Sequence, residues 1–120
     1  MENILKKRTK GIAIMVWHNC QKIGDEFYDY KRQLIRCSSS VGANYRAACR
    51  AKSSRDFLNK LKIVEEELDE TMYFIELITE IKPELQNMWQ KSYNESEELL
   101  KIIVKSIGTV RAKIRNNKSS

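Results

Sequence analysis

Apolar residues recur along this chain at spacings of three and four, and no stretch alternates as a strand would require. The clearest run is Phe57, Leu61, Val64, Leu68, Thr71, Ile75 and Ile78, a heptad seam kept for several turns. Ser53, with Asp56 three residues later, is a capping-box-like start. Pro83 is a stop, because the residue before a proline is pushed out of the α region. Together they predict a helix over 54–81. A second seam, Leu85, Trp89, Ser92, Ser96, Leu99, Ile103, Ile107, Val110 and Ile114, predicts a helix over about 84–114. Pro83 and Glu84 suit its first turn, and Arg111, Lys113 and Arg115 suit the negative end of its dipole.

Upstream, Leu34, Ser38, Val41, Tyr45 and Ala48 predict a helix over about 29–51. Its margins hold Cys37, Ser39, Ser40, Gly42, Ala43, Ala47 and Cys49, small side chains that let a neighbouring helix come close. Ile12, Met15, Val16, Asn19 and Ile23 share one face of a first helix, about 4–23, with Gly24 and Asp25 marking its end. With only four glycines and one proline in 120 residues, turn punctuation is scarce. The expected fold is therefore all-α: one domain over 1–120, an antiparallel up-down-up-down four-helix bundle with a basic tail at 115–120.

Charge changes this picture by being sorted along the chain. Between Lys31 and Lys62 nine bases stand against the single acid Asp56, whereas from Ile63 to Leu100 eleven acids face only Lys82 and Lys91. The closing segment carries Lys101, Lys105, Arg111, Lys113, Arg115 and Lys118 with no acid. Blocks of opposite sign in one chain favour pairing between helices, with another copy, or with a polyanion. On the second helix Arg32, Arg36, Arg46 and Arg50 form one stripe opposite the apolar seam, and arginine forks onto phosphate or carboxylate.

Two readings of that stripe compete. In one it contacts phosphates, the field being extended by Lys52, Arg55, Lys60 and Lys62. In the other it pairs with Glu65, Glu66, Glu67, Asp69 and Glu70 of the third helix, in the same chain or in a neighbouring copy. We assign Arg46 and Arg50 to ion pairs with Glu66, Glu67, Asp69 or Glu70. Arg32, Arg36, Lys52, Arg55, Lys60, Lys62, Arg111, Lys113 and Arg115 are assigned to nucleic acid.

Catalytic signals are weak. His18 is the only histidine, and no Ser, Cys or carboxylate stands three or four residues from it. Ser38, Ser39 and Ser40 read as packing residues, and Glu65-Glu66-Glu67 lacks the Glu-x-x-His pairs of a di-iron bundle. No glycine-rich phosphate loop occurs. Neither an enzyme nor a cofactor or metal is expected. Cys20, Cys37 and Cys49 cannot all pair and read as reduced, buried thiols. Lys6, Lys7, Arg8 and Lys10 precede the apolar run Ile12–Trp17, which is too short for a membrane span and lacks a cleavage site. A cytoplasmic protein without membrane contact is expected.

The run from Gln33 to Ser53, QLIRCSSSVGANYRAACRAKS, continues through Phe57, Lys60-Leu61, Val64-Glu65-Glu66-Glu67 and Asp69-Glu70-Thr71. Over about residues 30–78 it resembles the bacterial four-helix-bundle proteins named for reading frames inside intervening sequences of large-subunit ribosomal RNA genes, which are often labelled ribosomal proteins. A related branch is the accessory variability protein of diversity-generating retroelements, a pentameric basic barrel that binds nucleic acid and a reverse transcriptase. The resemblance implies a homopentamer with RNA or DNA as partner. The other reading it implies is a structural ring or adaptor recruiting a protein such as a reverse transcriptase. The acid-rich third and fourth helices depart from the uniformly basic retroelement branch.

Overall fold

The computed structural model describes the backbone of residues 1–119 and side chains through Asn117. Four α-helices pack around one core: α1 (Glu2–Cys20), α2 (Tyr28–Cys49), α3 (Ser54–Ile81) and α4 (Gln86–Ser119). Short 3-10 turns at Asp25–Phe27 and Pro83–Leu85 lead into α2 and α4, and among the described residues there is no strand. With 34 residues, α4 is about 51 Å long, and it nearly spans the 56 Å length of the molecule. Its helix continues past residue 114 through the stretch expected to be a tail, of which Ser120 and the side chain of Lys118 lie outside the described residues.

The seams read from the sequence form the core. Leu34, Ser38, Val41, Tyr45 and Ala48 of α2 are buried, as are Leu61, Val64, Leu68, Thr71, Ile75 and Ile78 of α3. From α4 come Trp89, Ser92, Ser96, Leu99, Ile103, Ile107 and Val110, while Phe57, Leu85 and Ile114 close the ends half-buried. The α3 bounds fall where punctuation put them. Ser53 Oγ accepts the Asp56 N–H at 3.0 Å, and the Asp56 carboxylate reaches back to the Lys52 N–H at 3.3 Å, one residue before the cap itself.

In α1 the buried face is Leu5, Thr9, Ile12, Val16 and Cys20, with Met15 and Asn19 at its edge and Ile23 half-buried just beyond its end. The helix ends at Cys20, three residues before the expected 23. Tertiary partners take over there: Lys31 donates to the Ile23 carbonyl at 2.9 Å, and the Asn19 amide donates to the Met88 carbonyl at 3.2 Å. Gly42 of α2 is buried against α1, where a Cβ would stand 3.4 Å from the Lys10 nitrogen and the Thr9 carbonyl carbon. The small margin of α2 thus brings two helix backbones together.

Candidate nucleic-acid interface

Contacts between helices fix which charges meet. Arg36 pairs with Glu67 at 3.3 Å and with Glu70, and one residue on, Thr71 Oγ1 donates to Cys37 Sγ at 3.3 Å. The connection at residues 50–53 therefore brings Arg46 and Arg50 level with the first turns of α3, ahead of its acid run. Within one chain this differs from the pairing expected from the sequence, which also allowed a neighbouring copy as the partner. Among the described residues Arg46 and Arg50 make no ion pair, and Arg36, assigned to nucleic acid, is the arginine that meets the acids. The acid run has the right length but starts too far from the turn to come level with Arg46. Glu66 and Asp69 are exposed and form no ion pair among the described residues.

The other assigned cations are spread over the surface. Arg32 is exposed, with its guanidinium 5.9 Å from the Tyr28 ring centroid. Lys52, Arg55 and Lys62 are exposed and Lys60 half-buried, along the α2–α3 connection and the first turns of α3. The Tyr93 hydroxyl donates to Glu76 at 2.8 Å and so fixes how α4 lies on α3. That register carries the exposed Arg111, Lys113 and Arg115 to the end of the molecule that holds the 50–53 connection. Most of the assigned bases thus gather at one end, while Arg32 and Arg36 stand apart from them.

Three lysines that the sequence reading considered only as a possible leader join this basic end. A cleft of about 350 Å³ is lined by Asn3, Lys6, Lys7 and Lys10 of α1 and by Arg46 of α2. The signal was present in their spacing, because residues 3, 6, 7 and 10 share a helix face. Arg8, pointing the other way, is held by α4: its guanidinium donates to Glu95 at 2.9 and 2.7 Å and lies 3.2 Å from Glu98. Burial pushes the Glu67 carboxyl above its ordinary value, and Arg36 counters it.

The residues considered for catalysis are dispersed. His18 is exposed and meets only the edge of Trp17, ring centroids 5.4 Å apart. Ser38 is buried with its hydroxyl turned to its own helix at Ile35. Cys20 and Cys37 are buried free thiols, each pushed up to about 11 by burial, and Cys49 is half-buried. Among the described residues no three His, Cys, Asp or Glu side chains converge on a metal-sized site, and no helix is long and apolar enough to cross a membrane.

The model of the 23S rRNA-intervening sequence protein family matches residues 1–105. Among solved structures, a protein of unknown function from the S23 ribosomal protein family of Bacteroides thetaiotaomicron is similar. It has 28% sequence identity and a TM-score of 0.80, over 89% of this chain and 97% of that one. No curated protein matches.

Proposed function

This chain belongs to the 23S rRNA-intervening sequence protein family, and from that premise we propose that it is a non-enzymatic, self-assembling bundle that binds nucleic acid through phosphates. The ligand is RNA or DNA, bound without sequence specificity, since no base-reading motif accompanies the bases. One observation carries this reading: Glu67 and Glu70 of α3 are taken by Arg36 and Glu95 and Glu98 of α4 by Arg8, while Arg46, Arg50, Lys52, Arg55 and Lys62 stay exposed without ion pairs among the described residues. The helices run up-down-up-down and antiparallel. In support, partner numbers run in opposite directions across each seam: α2 meets α3 at Arg36–Glu70 and Glu26–Lys82, late α3 meets early α4 at Glu76–Tyr93, and α1 meets α4 at Arg8–Glu95 and Asn19–Met88. The cytoplasm, where ribosomal RNA resides, is the compartment that fits.

Self-assembly follows from the same charge sorting, and the resemblance favours a homopentamer. A second reading, a ring or adaptor that recruits a protein such as a reverse transcriptase, draws on the exposed acidic line Glu66, Asp69 and Glu80, which also holds the 55% exposed Tyr73. Binding of a structured RNA across a salt series separates the two. The affinity should fall log-linearly with salt, and the Arg50→Gln/Lys52→Gln variant should flatten the slope by about two. RNA that fails to bind wild-type protein even at low salt rejects the nucleic-acid reading and leaves the adaptor.

A further inference from the structure

We propose that the α1–α2 cleft lined by Asn3, Lys6, Lys7, Lys10 and Arg46 is a phosphate-binding site in its own right. The proposal deepens the nucleic-acid reading and rests on it only for the source of the phosphate. The cleft originates at Gly42. Because no side chain stands there, the backbone of α2 lies against Thr9 and Lys10 of α1. Arg46, one turn beyond Gly42, then shares a hollow with Lys10, and Lys6, Lys7 and Asn3 complete its wall from the preceding turns of α1. Cations from two helices are thus held together by the backbone contact beneath them.

What these cations lack is a partner. Lys7, Lys10 and Arg46 form no ion pair among the described residues, and Lys6 has only Glu2, an exposed carboxylate 3.9 Å away. Arg8, in the same helix turn, takes two acids at once. The chain therefore has carboxylates to spend on α1 and places none over this hollow. Like charges gathered this way repel, more weakly at the larger separations open to long lysines. An oxyanion seated among them replaces repulsion with attraction. The planar fork of Arg46 suits two oxygens of one phosphate, the lysines act as point charges, and the Asn3 amide adds a neutral donor. A multiply charged phosphate gains more from four cations than a carboxylate does.

The phosphate could belong to a nucleic-acid strand or to a small polyphosphate, and two probes distinguish these. Inorganic pyrophosphate titrated at low salt should raise the melting temperature and shift NMR signals of residues 3–10 and 42–46. In the Lys10→Gln/Arg46→Gln variant both effects should be lost, with affinity at least tenfold weaker. That variant removes exposed, mutually repelling charges, so its melting temperature without ligand should be no lower than wild type. The Arg50→Gln/Lys52→Gln variant should keep the pyrophosphate response in full. Pyrophosphate binding indifferent to the cleft variant, or shifts spread evenly over all basic segments, would overturn the site even if RNA still binds. If the cleft variant abolishes pyrophosphate binding but no RNA binds wild type, the site stands with a small polyphosphate as its ligand, and the nucleic-acid reading fails instead.

Discussion

Ser53 shows how much one side chain settles locally. Its hydroxyl supplies an acceptor for the first turn of α3, taking the Asp56 N–H. Ser53→Ala should cost about 1 kcal/mol in denaturant unfolding, whereas Ser53→Asp should restore most of that. The buried thiols act at alkaline pH. Burial raises Cys20 and Cys37 to about 11, against an unfolded value near 9. The folded state therefore holds these protons more tightly, so the stability they contribute is intact below pH 9 and is lost as pH rises through about 11. Melting temperature should drop across that window, and less steeply in Cys37→Ala, which has nothing to ionise there. Equal slopes in the two proteins would mean that the alkaline limb belongs to lysines and tyrosines.

At the scale of elements, the seams α1–α2, α2–α3 and α3–α4 are extensive, while α1 meets α4 only sparingly. That last seam leans on Arg8, a two-pronged contact to the half-buried Glu95. Arg8→Gln leaves Glu95 without its cation and should cost about 1–3 kcal/mol, with hydrogen exchange in α1 speeding up more than in α3. Arg36→Gln, at a half-exposed pair, should cost about 1 kcal/mol or less. Helices with punctuation at both ends were legible in the sequence: Ser53 and Pro83 bound α3, and the seams of α2, α3 and α4 became the buried faces. The end of α1 was not: the chain leaves the helix at Cys20, ahead of Gly24, and Lys31 of α2 takes the Ile23 carbonyl. The partner of each arginine was not legible either. Block charge gives the sign of a neighbour, but only helix packing places Glu70 of α3 at Arg36 and the α1 lysines at Arg46.

At the scale of the molecule the charges form an axis. The end bearing the 50–53 connection holds the α1–α2 cleft, Arg50, Lys52, Arg55, Arg111 and Lys113, while the exposed acids Glu66, Asp69 and Glu80 lie along the remainder of α3. Such a molecule is complementary to a second copy in a head-to-tail contact, and a heterologous contact of this kind closes into a ring when the rotation allows. Light scattering at moderate salt should return a multiple of the 14.1 kDa chain. Raising salt should dissociate the assembly, since exposed charges are screened within about 8–10 Å near physiological ionic strength. Glu66→Lys/Asp69→Lys puts bases where a neighbour's basic end would land, so it should yield monomer at concentrations where wild type assembles. Because those acids are exposed and unpaired within the chain, folding should be preserved, and a monomer's affinity for RNA should not fall below that of a wild-type subunit. A 14 kDa wild-type species at high protein concentration would end the assembly model. An assembly that is salt-stable and indifferent to the reversal would place its contacts on apolar side chains such as Ile4, Ile14 and Val104, which the bundle leaves exposed.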